Sequence, residues 1–316
     1  MAASVLVDAA SPSRASCLAA IAEADGPAHR RSRGGVPLRI LLTGRNGQVG
    51  WELERALAPA GEVIATDRAA LDLADFDAIR RVVRDAKPEV IVNAAAYTAV
   101  DKAESEPELA MRVNGEAPGV LAEEAKRLGA LLVHYSTDYV FDGKKTTPYV
   151  EEDEPNPINV YGRTKLAGER AIAASGCRYL ILRTSWVYAP RGKNFLLTIV
   201  RKARAGEALR VVDDQHGVPT TAAFLAQMTR KILARRDAAG LFHLVPGGST
   251  TWCRFARAIV SALGLETNVE AIRTEDYPTV AARPRNSVLV NRKAADEFRL
   301  ETTPWKPLLE RCIAQL

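Results

Sequence analysis

A doubly wound parallel α/β sheet with a smaller carboxy-terminal lobe is the fold class that three features of the sequence predict. Short β-branched, apolar runs alternate with longer helical stretches from Leu38 to about residue 190. A glycine-rich turn, Thr43-Gly44-Arg45-Asn46-Gly47-Gln48-Val49-Gly50, directly follows the first of those runs. Beyond residue 190 the alternation weakens and helical candidates dominate. Continuous apolar runs suit strands covered on both faces, and the stretches between them supply the crossovers that parallel pairing requires.

The elements follow in order. Residues 1–36 are dominated by Ala, Ser and Pro and end on Arg30, Arg31, Arg33, Gly34 and Gly35, which predicts a disordered tail. The apolar run Leu18 to Ile21 is too short for a secretory signal, and Asp8, Glu23 and Asp25 are out of place in a transit peptide. Strands are expected at Leu38 to Leu42, Val63 to Ala65, Val90 to Val92, Leu131 to Val133 and Tyr179 to Leu182. Residues 37–190 read as one nucleotide-binding domain. Residues 191–316 read mainly as a second lobe, with some segments returning to the first. Its helices are expected at Phe195 to Ala205, Ala222 to Arg235, Trp252 to Leu263 and Pro304 to Leu316.

Composition narrows the function. A chain of 316 residues with 47% hydrophobic and 26% charged residues can bury a large core without staples. The net charge of +5 arises from 43 basic and 38 acidic residues spread along the chain. No basic run is interleaved with aromatics, so acidic small molecules are expected as partners rather than nucleic acid. Cys17, Cys177, Cys253 and Cys312 are scattered without paired spacing, which indicates neither a zinc site nor a disulfide framework and fits a reducing cytoplasm. No run approaches the roughly 18 apolar residues of a membrane helix.

The motifs carry the chemistry. Gly44, Gly47 and Gly50, with Asn46, Gln48 and Val49, form a strand-to-helix turn of the kind that lets a backbone approach a pyrophosphate held at a helix amino terminus. Asp67 lies 23 positions beyond Gly44, where a carboxylate accepts hydrogen bonds from the adenosine ribose and favours NADH. Arg68 follows it and suits the 2′-phosphate of NADPH equally well, so the choice between the two cofactors is open at this point. Asp72 and Leu73 can meet the adenine edge. Ala94, Ala95, Ala96 and Tyr97 end the third strand with residues small enough for a cofactor to lie close. Tyr161 and Lys165, spaced i and i+4, share one face of a predicted helix. A ketone takes up a hydride on carbon and a proton on oxygen. A nicotinamide can give the first and Tyr161 the second, with Lys165 expected to lower the tyrosine pKa and the Thr137 hydroxyl to polarise the carbonyl.

These segments, together with Val92 to Glu104, His134 to Gly143, Asn159 to Glu169 and Arg183 to Tyr188, resemble the dTDP-4-dehydrorhamnose reductases of the extended short-chain dehydrogenase/reductase superfamily over residues 38–316. The resemblance implies reduction of a dTDP-linked 4-dehydro sugar with Thr137, Tyr161 and Lys165 as the catalytic set. It places Tyr139 and Trp186 against the sugar, an aromatic face of Trp186 being one physical use. It also places Asp138 beside the substrate, and Arg283 and Asn286, in Arg283-Pro284-Arg285-Asn286-Ser287, on the substrate side near the diphosphate. Glu52 matches a position that holds magnesium at a dimer contact in some relatives, so a homodimer and a metal are expectations of the resemblance. Its residue-level alternative is an ordinary glutamate in the first turn of a helix.

Competing chemistry meets the same residues. The related dehydratases follow the catalytic threonine with Asp-Glu, whereas Thr137 is followed by Asp138-Tyr139, which argues against water elimination. An epimerase needs a pocket in which the substrate reorients, a property the sequence does not display. A reading of another class is a non-catalytic, cofactor-binding regulatory subunit, which has no use for the complete set Thr137, Tyr161 and Lys165.

Overall fold

The five apolar runs become strands, most of them extended at the carboxyl end by the polar residues that serve the site. They are β1 (Leu38–Thr43), β2 (Gly61–Thr66), β3 (Val90–Asn93), β4 (Leu131–Thr137) and β5 (Arg178–Thr184). The computed structural model describes residues 37–235 and 238–316, so the stretch read as a tail lies outside the described residues. A sixth strand, β6 (Gly240–His243), pairs with β5, and the sheet runs β2-β1-β3-β4-β5-β6 with every neighbour parallel. All residues of β3 and β4 are buried, as strands covered on both faces must be.

Helices α1 (Gln48–Leu57), α2 (Phe76–Ala86), α3 (Ala117–Leu128) and α4 (Val160–Ser175) alternate with the strands. They are followed by α5 (Phe195–Arg204), α6 (Ala222–Leu233), α7 (Trp252–Ala262) and α8 (Trp305–Ile313). The period of two in β1 sorts its side chains to two layers. Ile40 and Leu42 pack with Leu53 and Leu57 of α1 and with Leu225 and Ile232 of α6. Leu41 faces the opposite layer, with Ile79 and Val83 of α2, Leu121 of α3 and Ile172 of α4.

Two pieces from beyond residue 190, α6 and β6, thus complete the cofactor-side sheet. The remainder builds its own core, in which Leu196 and Ile199 of α5, Phe255 and Ile259 of α7 and Trp305 and Leu309 of α8 pack together beside the parallel pair Leu209–Val212 and Val269–Ile272. The strand β6 is only Gly-Leu-Phe-His, too short to stand out from the helical patterns around it. No helix among the described residues is long and apolar enough to cross a membrane.

The order in which successive strands are added reverses between β1 and β3, β2 lying on one side of β1 and β3 to β5 on the other. Ligands bind in the crevice outside the carboxyl ends of strands at such a switch point. There the turn after β1 and the segment after β3 face each other.

Candidate active site

A cleft of about 750 Å³ opens at the carboxyl ends of the strands, and the glycine-rich turn forms one end of it. Gly44 takes a positive φ of 75°, its carbonyl accepts the Gly47 amide at 2.9 Å, and α1 begins at once. Gly47 caps α1 without a side-chain hydrogen bond, and no acidic residue occupies the first turn. The first amides and the positive end of the helix therefore meet the cleft without a competing anion, which fits a diphosphate. Asn46, Gln48 and Val49 line the same end.

At the end of β2 the Asp67 carboxylate is already anchored. It accepts the amides of Ala69 at 3.1 Å and Ala70 at 3.0 Å and the Asn46 side chain at 3.2 Å. Those bonds, the Ala70 amide foremost, hold its pKa below the usual carboxylate value. Arg68 is 79% exposed and, among the described residues, reaches Asp72 at 3.3 Å. Leu73 and the small residues Ala94, Ala95 and Ala96 complete the wall. Tyr97 is fixed by its amide on Asn114 Oδ1 at 2.8 Å and its hydroxyl on Glu106 at 2.7 Å.

The other end gathers Thr137, Asp138, Tyr139, Tyr161 and Lys165. Asn159 caps α4 by accepting the Gly162 amide at 2.7 Å. A Cβ at Gly162 would lie 2.1 Å from the Tyr139 carbonyl oxygen, so only glycine lets α4 start this close to the end of β4. Tyr161 is thereby set edge-on to Tyr139, with ring centroids 5.9 Å apart. Lys165 turns inward, donating to the Tyr135 carbonyl at 2.6 Å and pairing with His134 Nε2 at 3.0 Å.

Electrostatics differ from the expectation. Burial in the cleft wall pushes Tyr161 up to about 12, with the neighbouring Thr137 hydroxyl pulling down and Asp138 pushing further up. The sequence reading expects Lys165 to lower it, but the ammonium is held under β4. Desolvation brings Lys165 itself down to about 8, against the pull of Glu169. The Thr137 hydroxyl is not free either: it donates to Asp138 Oδ1 at 3.0 Å and accepts the Tyr139 amide at 3.1 Å. Asp138 is raised to about 7 by burial, against the pull of the neighbouring Ser287 and Thr137 hydroxyls. Thr184 and Tyr188 also contribute to the cleft wall, but Thr184 Oγ1 and the Tyr188 hydroxyl are themselves buried, without a hydrogen-bond partner among the described residues.

Trp186 lines the cleft in an unusual way. It is a bulky residue at φ 45°, a left-handed conformation that costs strain and persists only where the surroundings impose it. Trp252, at the start of α7, stacks on one face of its indole, with centroids 3.6 Å apart and planes 8° from parallel. A Cβ on Gly217 would lie 2.3 Å from Trp186 Cε2, so that backbone covers the opposite face. The sequence reading offers a face of Trp186 to the sugar, whereas both faces are occupied and the ring edge is what remains. Gly217→Ala is expected to displace the indole and raise the substrate KM about tenfold, at an overpacking cost of about 1–3 kcal/mol, with cofactor affinity unchanged. An unchanged KM in a folded variant contradicts this placement.

Four candidates lie off the cleft. Gly50 packs behind the turn against the Gly44 carbonyl. Arg283 pairs with Asp101 at 2.8 Å, and Asn286 donates to the carbonyls of Lys145 at 2.7 Å and Thr147 at 3.1 Å, so both tie loops together. Glu52 sits on α1 near Arg55 and Arg191, its pKa raised by burial. Among the described residues no group of three or more His, Cys, Asp or Glu is arranged to hold a metal. Sequence reasoning missed Trp252 and the Lys193-Asn194 pair, which also line the cleft. Asn194 caps α5 and donates to Gln48 Oε1 at 2.7 Å, joining the lobe to the glycine-rich turn. Its capping role was legible before the apolar run of α5; its partner was not.

Residues 38–316 match the family described as RmlD substrate binding domain. A dTDP-4-dehydrorhamnose reductase of Burkholderia thailandensis is 47% identical over 295 residues, covering 88% of this chain and 99% of that protein. The enzyme of the same name from Escherichia coli (strain K12) is 45% identical over 293 residues, covering 88% and 98%. Among solved structures, a dTDP-4-dehydrorhamnose reductase of Bacillus anthracis in complex with NADP superposes with a TM-score of 0.86 at 35% identity, covering 89% of this chain and 100% of that one. With the cleft geometry and these likenesses together, the chain belongs to the RmlD family of dTDP-4-dehydrorhamnose reductases.

Proposed function

We propose that this protein reduces the C4 ketone of dTDP-4-dehydro-6-deoxy-L-mannose to give dTDP-L-rhamnose, with NADPH as hydride source and Tyr161 as proton donor. The observation that carries the reading is the joining of Thr137, Asp138, Tyr161 and Lys165 to the glycine-rich turn by one continuous cleft. When bound, the reduced nicotinamide supplies the hydride. The residues of the chain do the rest. A tyrosine pushed up to about 12 keeps its proton throughout the neutral range, as an acid waiting for a developing alkoxide should. Thr137 presents its hydroxyl to the carbonyl oxygen once its bond to Asp138 gives way, and the Lys165 ammonium holds the ribose side of the site. A panel of dTDP- and UDP-linked 4-keto sugars, assayed with both cofactors, tests the assignment. The dTDP-linked 6-deoxy sugar is expected to give the highest kcat/KM, and faster turnover of a UDP-linked sugar would overturn it.

Arg68, exposed and paired with Asp72 at 3.3 Å, is the residue proposed for the 2′-phosphate of NADPH. Asp67, bound by two amides and Asn46, serves the ribose that both cofactors share. Arg68→Ala is expected to raise KM for NADPH by about tenfold and leave that for NADH nearly unchanged. An equal change for both would contradict this division.

The pH dependence has a definite sign. Asp138, at about 7, is a neutral acid below that pH and a carboxylate above it, and the carboxylate disfavours a tyrosinate at Tyr161. Turnover is expected to decline as pH rises through about 7, and Asp138→Asn to remove that limb. Persistence of the same limb in the variant assigns it elsewhere.

A further inference from the structure

A buried chain of polar groups runs beneath the cleft from β1 to α4. Thr43, Asn93, His134 and Lys165 are each at most 2% exposed. The register of the sheet sets Asn93 of β3 directly beside His134 of β4. Thr43 Oγ1 meets Asn93 Oδ1 at 2.7 Å, Asn93 Nδ2 meets His134 Nδ1 at 3.0 Å, and His134 Nε2 meets Lys165 Nζ at 3.0 Å. Lys165 also donates to the Tyr135 carbonyl at 2.6 Å. His134 does not line the cleft, so it does not act on a ligand directly.

Proton counting along this chain gives two self-consistent arrangements. With an ammonium on Lys165, His134 Nε2 accepts from it, the imidazole proton sits on Nδ1, and Nδ1 donates to the Asn93 amide oxygen. With a neutral Lys165 amine, Nε2 donates to it, Nδ1 accepts from Asn93 Nδ2, and Asn93 Oδ1 accepts from the Thr43 hydroxyl. Both arrangements use the same heavy-atom contacts and, in heavy-atom terms, differ only in which end of the Asn93 amide faces His134. The two differ by one proton, released from Lys165 to the cleft, by the nitrogen that carries the imidazole proton, and by a half-turn of the Asn93 amide.

We propose that His134 is a positioning residue for Lys165: a neutral imidazole that pairs with the lysine nitrogen in both of its charge states by exchanging tautomers, the Asn93 amide turning over to follow. An apolar residue at 134 would leave the buried nitrogen one partner short in either state, and a buried unpaired group of this kind is costly. The surroundings permit both states. Desolvation, then the nearby Lys165 charge, holds His134 well below the ordinary histidine range, so it stays uncharged. Lys165, at about 8, titrates close to neutrality. The other charged groups packed here are Glu169, one turn along α4 and favouring the ammonium, and Arg183 of β5, which neutralises Glu169 at 2.6 Å. Ser136 donates to Glu169 from β4, and Tyr161 and Asp138 are the ionisable groups on the cleft side.

The weight of this role in catalysis rests on the proposed reductase reading, but the tautomer exchange does not. It is tested on the unaltered protein by nitrogen NMR of labelled histidine; the protein has four histidines, and single replacements of His29, His216 and His243 assign His134 by elimination. The Nδ1–H form is expected at low pH and the Nε2–H form at high pH, with a midpoint near the Lys165 value of about 8 and no imidazolium in between. A single tautomer across that range, or an imidazolium, overturns the proposal. Two variants give the kinetic readout. His134→Gln, whose amide can also accept or donate, should keep kcat/KM for the cofactor within about fivefold, while His134→Leu should lose about ten- to a hundredfold. Equal losses in both folded variants mean that only shape matters and overturn it. If His134→Leu does not fold, the tautomer measurement decides alone. A tautomer exchange in a protein without turnover would contradict the reductase reading and leave the His134 assignment standing.

Discussion

Replacing Tyr161 by Phe is expected to lower kcat by about 10²- to 10⁴-fold, the range that general acid–base catalysis contributes. The ring keeps its edge-on contact with Tyr139, centroids 5.9 Å apart, so the cleft wall retains its shape. Cofactor affinity should therefore be nearly unchanged, and the loss should appear in kcat rather than in KM. The contrast with Lys165 is informative, because its nitrogen is tied to Tyr135 and His134 rather than to Tyr161. Lys165→Ala should weaken cofactor binding as well as turnover. Steady-state kinetics with direct measurement of NADPH binding separates the two patterns, and near-normal turnover in Tyr161→Phe would show that another group delivers the proton.

Gly50→Ala is expected to disable cofactor binding by a steric route. A Cβ at that position would lie 2.1 Å from the Gly44 carbonyl oxygen and 2.7 Å from its carbon, atoms of a backbone that cannot rotate away. The turn must open, and with it the line of amides at the start of α1. Overpacking of this kind costs about 1–3 kcal/mol, and the distortion falls on the diphosphate cradle, so Kd for NADPH should rise about ten- to a hundredfold. Calorimetric titration with NADPH measures it. Wild-type affinity would mean that the turn is softer than its geometry implies.

How much of this was legible beforehand follows from the range over which each signal acts. The strands β1, β3 and β4 announce themselves because a strand buried on both faces is a continuous apolar run. The spacing of Tyr161 and Lys165 is equally local, a property of one helix. By contrast, β6 carries only Gly-Leu-Phe-His, and its place beside β5 depends on pairing across the sheet. The sandwich around Trp186 joins residues 217 and 252, which nothing along the chain relates. His134 reads as a polar residue in an apolar strand until the register sets it between Asn93 and Lys165. Arg283 shows the same limit from the other side. As a sequence feature it suits a diphosphate, yet in the fold it closes on Asp101, 182 positions away.

One cleft is proposed to bring a hydride from a nicotinamide and a proton from Tyr161 to a dTDP-linked 4-ketone. The most direct test mixes the purified full chain with NADPH and dTDP-4-dehydro-6-deoxy-L-mannose and follows the absorbance of the reduced nicotinamide while the sugar nucleotide is identified by mass and NMR. One reduced nicotinamide is expected to be lost for each dTDP-L-rhamnose formed. Saturable NADPH binding without any absorbance loss or rhamnose product would contradict it.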